Sequence, residues 1–320
     1  MNETNAETHF PPVSEDEIYR GYEIEDLERV AALGMRGEPR PGFITDFFGV
    51  HTRADRMAWA ANRGGEVLTE APFPDDTYLA EGIEYASVAI SLKDARGPNF
   101  TFVEIGAGWG PWTALMAKLA ERRGFKKITS IGIEADEKRF LGLQSHLFEN
   151  GLLPSIDAIT GTTGAVTVHA LRAAGWWRNE TLFFPRNASI EDAGLAVTRS
   201  GGETADYRGQ VFDHDEVPAI SIPELCGPYD VIDFMHIDIQ GAEWELISNA
   251  IDFFSAKVRC MTVGTHNRKI EGDLIDLLIR KNWKLFREKP CRFYGMADSP
   301  TLTGLTYKDG SQLWRNMSLA

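Results

Sequence analysis

The sequence predicts an α/β protein with a doubly wound, mostly parallel sheet: an N-terminal arm and covering helix over residues 1–97, then one main domain over residues 98–320. From Phe100 onward, short apolar runs that suit strands alternate with stretches that have the apolar spacing of helices. Strands separated by helices of this length are typical of parallel sheets with helices on both faces. A glycine-rich turn follows the first strand, where such sheets bind ligands.

The composition argues against several classes of protein. The 320 residues carry a formal net charge of −14, which repels phosphate backbones, so we expect no nucleic-acid partner. The cysteines Cys226, Cys260 and Cys291 form no CxxC pair, which argues against a disulfide framework or a structural zinc site. The N-terminal stretch lacks a signal-peptide pattern, and no run reaches the roughly 18 apolar residues of a membrane helix. These observations predict a cytoplasmic protein without a membrane span.

Two helices are predicted in the N-terminal part of the chain. The first covers residues 23–32, and the second follows Asp75 or Asp76, either of which can be its N-cap. Between them, the aromatic-rich stretch GFITDFFGVHTRADRMAWA (residues 42–60) either covers the core or forms a lid over a substrate site.

The main domain is predicted to alternate strands with helices. The predicted strands cover residues 100–105, 128–134, 156–160, 231–238 and 258–264, and the predicted helices cover residues 111–123, 137–150, 243–253 and 270–281. Residues 161–223 interrupt this alternation and are too long for an ordinary connection, so we interpret them as a lid insertion. Trp176 and Trp177 in this insertion either stack on a sugar ring or pack inside the lid.

The turn after the first strand reads E-x-G-x-G-x-G. Glycine has no side chain and adopts unusual backbone angles, so a ligand can approach this backbone closely. The next helix begins near Pro111, and its N-terminal amides can receive a carboxylate or a phosphate. The candidate ligand-binding residues of this turn are Glu104, Gly106, Ala107, Gly108 and Gly110.

Two cofactors compete for this turn. A dinucleotide fingerprint, G-x-G-x-x-G, would need its third glycine at residue 111, which is Pro111. S-adenosylmethionine fits better, because Glu104 can accept hydrogen bonds from the cofactor's ammonium group. Glu134 ends the second strand, where a carboxylate can accept both ribose hydroxyls. Thr160 and Gly161 follow the predicted third strand, where an adenine ring would lie.

A second cluster follows the fourth and fifth strands. Asp238 lies at the carboxyl end of its strand, and His236 has the same strand parity, so both can face one side. The next strand ends at Thr265, His266 and Asn267, which therefore lie on the same rim.

Methyl transfer to a hydroxyl requires an aligned acceptor and a group that removes its proton. The expected catalytic residues are His266, Asp238 and His236, with His266 as the base because an unperturbed imidazole has a pKa of about 6.5. His236 could instead be a satisfied core histidine. A divalent metal bound by this set would acidify a hydroxyl, but the spacing is not a metal signature, so no metal site is expected.

Taken together, these stretches resemble the FkbM-type family of class I S-adenosylmethionine-dependent methyltransferases, which have a Rossmann-like sheet. The similar stretches are FVEIGAGWGPW, IGIEAD, HLFENGL, ISIPEL, IDFMHIDIQGAE, GTHNRKIEGDL and DGSQLWRN, and they extend over about residues 98–320. The I-D-x-x-x-x-D-x-x-G-x-E arrangement is the most specific of them.

The resemblance implies Glu104, Gly106, Gly108 and Glu134 as cofactor contacts and Asp238 as an active-site residue. It also implies methylation of a hydroxyl on a sugar, a glycan or a natural product, so the expected partner is a small-molecule or carbohydrate acceptor. The family often has a K-x-D-x-E-G pattern, and this chain departs from it at two positions. His236 stands in place of the lysine, and Gln240 stands in place of the glutamate.

The sequence therefore predicts an S-adenosylmethionine-dependent O-methyltransferase. One alternative is a nicotinamide-dependent oxidoreductase or epimerase on a similar fold, which would bind NAD. Another is a non-catalytic scaffold that binds the cofactor and transfers nothing.

Overall fold

The computed structural model of the chain describes residues 19–77, 79–186, 196–199, 201, 204–205, 211–295, 299 and 301–320. Its strands are β1 (Phe43–Thr45), β2 (His51–Arg53), β3 (Asn99–Ile105), β4 (Lys127–Glu134), β5 (Thr160–Thr163), β6 (Val166–Arg172), β7 (Ala174–Trp176), β8 (Glu180–Pro185), β9 (Thr204–Ala205), β10 (Val211–Phe212), β11 (His214–Ser221), β12 (Ile232–Ile237), β13 (Val258–Thr265), β14 (Trp283–Lys289), β15 (Arg292–Phe293), β16 (Thr306–Lys308) and β17 (Gly310–Asn316). Its α-helices are α1 (Ile24–Ala31), α2 (Gly82–Asp94), α3 (Pro111–Arg122), α4 (Glu137–Glu149), α5 (Ile222–Cys226), α6 (Glu243–Asn249), α7 (Ile251–Lys257) and α8 (Arg268–Arg280).

Eight of these strands form the main sheet, in the spatial order β14-β17-β13-β12-β3-β4-β6-β5. The five strands β13, β12, β3, β4 and β6 run parallel to their neighbours within this group, and β5 and β17 pair antiparallel with β6 and β13. The chain winds from β3 towards β6 on one side and returns to β12 and β13 on the other. This confirms the predicted α/β fold and places the switch point, where such sheets bind ligands, between β3 and β12.

The central strand β3 is buried on both faces, because helices cover both sides of the sheet. Phe100 and Phe102 pack with α2, α3 and α4 on one face, and Val103 and Ile105 pack with α6, α7 and α8 on the other. This near-continuous apolar run is what a central parallel strand requires. Among the described residues, no helix combines the length and apolar character needed to cross a membrane.

The prediction of the third strand is wrong. The third parallel strand is β6, which lies within the residues assigned to the insertion, and residues 156–159 form no strand. β5 begins at Thr160 and is an antiparallel edge strand that pairs with β6 through a short hairpin. Along β6, buried residues alternate with half-buried ones, which is the period of two that a strand shows. The prediction assigned the strand to residues 156–160, just before this pattern.

The insertion therefore begins after β6 rather than at residue 161. Its described part includes a three-stranded sheet in the order β7-β11-β8, while residues 187–195, 200, 202–203 and 206–210 lie outside the described residues. Trp176 is 2% exposed and donates from Nε1 to Glu180 Oε1 at 2.7 Å, so it packs inside this unit. The role of the insertion as a lid stays a prediction.

The N-cap prediction for α2 is also wrong. The helix begins at Gly82, and Glu81 and Glu84 form a capping box at its start. Asp76 instead accepts the backbone N–H groups of Leu79 and Ala80 and so closes the preceding turn. From there α2 packs across β12, β13, β17 and β14, which makes it the cover of this half of the sheet.

Candidate active site

The three glycines of the turn between β3 and α3 have different surroundings, although all have positive φ. A Cβ on Gly106 would lie 1.8 Å from the carbonyl oxygen of Asp238, and one on Gly110 would lie 2.1 Å from Cδ1 of Leu143. A Cβ on Gly108 would meet nothing within 4 Å. Gly106 and Gly110 are therefore needed for packing, and Gly108 is the glycine that leaves open space for a ligand.

A cavity of about 170 Å³ lies beside this turn, and we call it the turn cavity. Its walls come from the carboxyl ends of the parallel strands: Gly106 and Gly108 after β3, residues 133–135 around the end of β4, residues 173–175 after β6, and residues 238–240 after β12. The cavity thus lies at the switch point of the sheet. Glycines and alanines at the strand ends leave backbone open to a ligand, and the larger side chains of Trp109, Arg139 and Phe184 complete the walls.

Glu134 is the acid at the end of β4, and it lines the turn cavity. Its two carboxylate oxygens accept the backbone N–H groups of Gly108 and Asp136, each at 2.7 Å. Burial raises the pKa of the Glu134 carboxyl to about 7. Each carboxylate oxygen can accept a second hydrogen bond, so the residue can still bind two hydroxyls.

Glu104 does not line the turn cavity, contrary to its expected contact with the cofactor. It is 1% exposed, and its Oε2 accepts the backbone N–H of Thr113 at 2.7 Å and the Thr113 hydroxyl. Burial raises the pKa of its carboxyl to about 7. Glu104 therefore fixes the first turn of α3 to the end of β3, so that it shapes the ligand site from behind.

The other predicted ligand residues divide in the same way. Gly106, Gly108 and Glu134 line the cavity, whereas Ala107 and Gly110 only build the turn. Thr160 and Gly161 pair with His169 and Val168 in the middle of β6 and so do not reach its carboxyl end. Their predicted placement after the third parallel strand is wrong, because residues 173–175 follow the end of that strand, and their contact with an adenine stays a prediction.

Asp238 connects the turn cavity to a second cavity. It follows β12 directly, and its backbone N–H donates to the carbonyl of Ile105 at 3.0 Å. The second cavity has about 270 Å³ and lies on the α2 side of the sheet. We call it the charged cavity, because its lining includes Glu81, Glu84, His236, Asp238, His266, Lys289, Lys308 and Asp309.

His266 lies between two carboxylates, which the sequence could not show. Its Nε2 is 3.3 Å from Oδ1 of Asp238, and its Nδ1 is 3.0 Å from Oε1 of Glu243. The contact of Nδ1 with Glu243 is close enough for an ion pair but is not aligned as a hydrogen bond. Burial by itself lowers the pKa of an imidazole, but the two carboxylates outweigh it and hold the pKa of His266 well above 6.5. The two carboxylates therefore favour the protonated, positively charged form of His266.

Glu243 is a site residue that the sequence analysis did not single out. It is fully buried, and its Oε1 accepts the backbone N–H of Ile239 at 3.0 Å and that of Gly241 at 3.1 Å. This fixes a tight turn in which Gln240 has a φ of 59° and donates to Asp238 Oδ1 at 2.8 Å. The glutamate of the I-D-x-x-x-x-D-x-x-G-x-E arrangement was the signal that could have identified it.

His236 faces the charged cavity from β12, beside Glu104 on β3. Its Nε2 is 3.5 Å from Oε1 of Glu84, and its buried Nδ1 has no hydrogen-bond partner among the described residues. Burial lowers the pKa of His236, but the hydrogen bond and charge of Glu84, with Glu104 and Asp238, raise it above its usual value. It is therefore not a satisfied core histidine.

A metal would fit this arrangement less well than a proton. Asp238, Glu243 and His266 each offer a ligand atom, all within 4.8 Å of one another. The imidazole ring lies between the two carboxylates, however, and presents a different nitrogen to each of them. An ion on either nitrogen would be next to one carboxylate and separated by the ring from the other.

A third cavity, of about 780 Å³, opens on the opposite side of the turn cavity. It lies between the small sheet and the helices α6 and α8, and it shares Gln240 and Val197 with the turn cavity. Trp176 and Trp244 line it together with the ion-paired residues Arg199, Glu245, Lys269 and Asp273.

Two comparisons of the amino-acid sequence with known proteins both match methyltransferases. A family model described as "Methyltransferase FkbM domain" matches residues 104–282, more than half of the 320-residue chain. A protein of Jannaschia sp. (strain CCS1), named "Putative methyltransferase", is 27% identical over 285 residues, which cover 87% of this chain and 94% of that protein.

Solved structures are more distant. The FkbM methyltransferase of Methylobacillus flagellatus KT is 12% identical with a TM-score of 0.39, and the match covers 74% of this chain and 56% of that one. The METTL16 MTase domain is 11% identical with a TM-score of 0.37, over 72% of this chain and 65% of that one. This chain thus spans less than two thirds of the length of either structure.

Proposed function

Because the chain belongs to the FkbM methyltransferase family, it is a methyltransferase, and we propose that it transfers a methyl group from S-adenosylmethionine to a hydroxyl of a sugar, a glycan or a natural product. When bound, S-adenosylmethionine supplies a methyl group on a positively charged sulfur. The alternative of a nicotinamide-dependent oxidoreductase is set aside, because the family to which the chain belongs consists of methyltransferases.

The residues of the turn cavity fit this cofactor. Gly108 has open space where a side chain would stand, and Glu134 can accept two ribose hydroxyls while it holds the backbone of the turn. Asp238 lines both the turn cavity and the charged cavity, so a ligand seated in the turn cavity would lie beside a residue that also borders the charged cavity. Asp238, which is about 37% exposed, offers a carboxylate at that junction for the cofactor's ammonium or for the acceptor.

One observation supports the methyl-transfer proposal above the others, namely that Asp238 lines both cavities. A group held in the turn cavity and a hydroxyl held in the charged cavity would meet at this residue. Such proximity converts a reaction between two molecules into a reaction within one site. The charged cavity is rich in donors and acceptors, which suits a polar acceptor with hydroxyls rather than an apolar one.

The role expected of His266 as the base is revised in this proposal. A base must be unprotonated, and the pKa of His266 is held well above 6.5 by the carboxylates on both sides. Burial alone would raise the pKa of Asp238, but the contact with His266 lowers it. We therefore assign His266 to keeping Asp238 ionised and fixed in direction, while another group takes the proton of the acceptor.

The test combines calorimetry with a transfer assay. Wild-type protein should bind S-adenosylhomocysteine and transfer a labelled methyl group from S-adenosylmethionine to a member of a panel of sugars and hydroxylated natural products, with or without EDTA. Asp238→Asn should lose about 10³-fold of the transfer rate, the size of effect seen when a group that stabilises a transition state is removed. Asp230→Asn, the same change at an exposed position before β12, should transfer normally.

Two results would count against the proposal. Absence of S-adenosylhomocysteine binding would overturn the cofactor assignment. Binding without transfer to any acceptor of the panel would favour the non-catalytic scaffold.

A further inference from the structure

We propose that the third cavity binds an uncharged sugar ring of the acceptor, next to the ring that is methylated, and that Trp244 is the side chain on which this ring stacks. The inference rests on the methyl-transfer function proposed above, and it narrows the acceptor to a carbohydrate of at least two rings. The cavity lies between the insertion and the helices α6 and α8. The insertion would then take part in recognition of the acceptor.

The third cavity borders the proposed reaction centre at the ends of two strands. After β12, Asp238 lines the charged cavity and Gln240 lines the third cavity, and after β13, His266 and Asn267 divide in the same way. Nε2 of Gln240 donates to Oδ1 of Asp238 at 2.8 Å, so this side chain lies between the third cavity and the carboxylate. An acceptor with a hydroxyl at Asp238 and a neighbouring ring beyond Gln240 would lie across these strand ends.

The size of the third cavity suits a sugar ring. Its volume of about 780 Å³ compares with about 170 Å³ for the turn cavity and about 270 Å³ for the charged cavity. Sites for small molecules commonly have about 300–1,000 Å³. The two smaller cavities are assigned to the cofactor and to the reacting hydroxyl, and the third cavity has room for a neighbouring ring.

The charges that line the third cavity balance one another among the described residues. Arg199 pairs with Glu245 of α6. Lys269 pairs with Asp273 of α8. His214, the remaining titratable residue of this lining, has its Nδ1 at 3.0 Å from a backbone carbonyl oxygen. Because both cations already have carboxylate partners, this lining suits an uncharged polar ligand better than a phosphate or a carboxylate.

Trp244 is the indole of this lining that a ligand can reach. It lies in the first turn of α6 and is half-buried. Trp176 also lines the cavity, but it is 2% exposed and its Nε1 donates to Glu180 Oε1 at 2.7 Å, so it belongs to the wall. A sugar ring has faces of C–H groups and an edge of hydroxyls, so it suits an aromatic side chain that has polar groups around it.

Two polar side chains of the same lining can bind the hydroxyls of such a ring. The Thr303 hydroxyl accepts from Nδ2 of Asn267 at 2.9 Å, which leaves its own proton to donate to a ligand. Gln240 uses Nε2 as a donor to Asp238, and its Oε1 accepts no hydrogen bond from the described residues. A sugar hydroxyl both donates and accepts, so it can bind to either side chain.

The experiment compares simple sugars with their tetrasaccharides. The full-length protein with S-adenosylhomocysteine is titrated by calorimetry with glucose, N-acetylglucosamine and mannose, and with cellotetraose, maltotetraose, chitotetraose and mannotetraose. At least one tetrasaccharide should bind about 10-fold more tightly than its simple sugar. With labelled S-adenosylmethionine as donor, the same tetrasaccharide should show this gain in kcat/KM, through a lower KM.

Trp244→Phe and Trp244→Leu separate the aromatic ring from the bulk of the side chain. Both are apolar and similar in size, but only phenylalanine keeps a ring. Trp244→Phe should bind the tetrasaccharide within about threefold of the wild type, whereas Trp244→Leu should bind it about 10-fold more weakly. Trp59→Leu is the matched control, because Trp59 is 57% exposed and lines none of the three cavities, so it should bind as the wild type does.

Two further probes keep the test independent of the folding of the Trp244 variants. Thr303→Val removes the hydroxyl from the same cavity and should weaken tetrasaccharide binding about fivefold. Glucose 6-phosphate should bind no more tightly than glucose. If the phosphate binds more tightly and Thr303→Val weakens it, the cavity takes a charged ligand and the inference is wrong.

The outcomes separate this inference from the proposed function. Equal tetrasaccharide affinities in Trp244→Phe and Trp244→Leu would overturn the stacking role. A wild-type protein that transfers methyl groups but binds no tetrasaccharide more tightly than its simple sugar would overturn the inference and leave the proposed function intact. Absence of both cofactor binding and transfer would count against that function, while the effect of Trp244→Leu on tetrasaccharide binding would still decide the role of the third cavity.

Discussion

The turn cavity and the charged cavity meet at Asp238 but are built in different ways. The turn cavity is lined by residues at the carboxyl ends of β3, β4, β6 and β12, several of them glycine or alanine, and by larger side chains that include Trp109, Arg139 and Phe184. The charged cavity is lined by ionisable side chains that come from α2, from strand ends and from the segment around Asp309. One is a product of strand topology, and the other depends on side chains brought together from distant parts of the chain.

This difference leads to different expected consequences of substitution. A change in the turn cavity should act on backbone geometry and on cofactor affinity. A change in the charged cavity should act through charge and should therefore depend on pH.

Gly106→Ala should have the largest effect, because the added Cβ would lie 1.8 Å from the carbonyl oxygen of Asp238 and the residue has a φ of 81°. Backbone cannot move away as a side chain can, so we expect the free energy of unfolding to fall by about 5 kcal/mol. Urea denaturation would measure it. Gly108→Ala, with nothing within 4 Å, should lose only about 1–2 kcal/mol from its left-handed conformation. Equal losses in the two variants would contradict the difference in their surroundings.

His266→Asn should have the next largest effect. Removal of the imidazolium leaves Glu243 buried beside a second carboxylate, which should lower the free energy of unfolding by about 3 kcal/mol at pH 6. The folded-state pKa of His266 lies above its unfolded value, so its stabilisation is complete below pH 6.5 and is lost as pH rises through the folded pKa.

Denaturation of His266→Asn and wild-type protein between pH 6 and pH 9 tests that sign. The two stability curves should converge as pH rises, because the contribution of His266 fades only in the wild type. The buried carboxyls Glu104 and Glu134 remain in both proteins, so the difference between the curves isolates His266. A gap that is constant with pH would mean that His266 contributes by packing and not by charge.

The contrast between the cavities also explains which parts of the site the sequence could predict. Strands and glycine turns have local signatures, so the parallel sheet, Gly106, Gly108 and Glu134 could be placed from spacing alone. The third strand was misplaced because the alternation in β6 is short and only half-buried, and a nearby apolar segment competed with it.

The charged cavity could be predicted only in part. Asp238, His236 and His266 follow strand ends that meet at one rim, which is a topological inference. Glu84 has no such signal for function, because its side chain also has a local structural role in the capping box at the start of α2. Glu243 is indicated only as the last residue of the I-D-x-x-x-x-D-x-x-G-x-E arrangement, and its contact with His266 has no local signature. The protonation of His266 depends on contacts between separate segments and not on spacing.

Gly108→Asn tests whether the turn cavity holds the cofactor. Asparagine tolerates a left-handed backbone better than other residues with side chains, so the fold should lose less than about 1 kcal/mol. Its side chain would fill the open space beside the turn, and calorimetry should show about 100-fold weaker binding of S-adenosylhomocysteine. Gly151→Asn is the matched control, because Gly151 also has positive φ and open space but lies after α4, away from the cavity. Normal binding by Gly108→Asn would place the cofactor elsewhere.

Glu134→Gln should have the smallest effect, and its pH dependence is the informative part. Burial raises the pKa of the Glu134 carboxyl to about 7, so the carboxylate that accepts ribose hydroxyls forms as pH rises from 6 to 8. The affinity of wild-type protein for S-adenosylhomocysteine should therefore increase over this range, whereas Glu134→Gln should vary less with pH and bind about 10-fold more weakly at pH 8. Glu137→Gln is the control, because Glu137 lies in the first turn of α4 and does not line the cavity. If the variant and the wild type show the same pH dependence, Glu134 does not make the ribose contact, and another residue of the turn cavity must bind those hydroxyls.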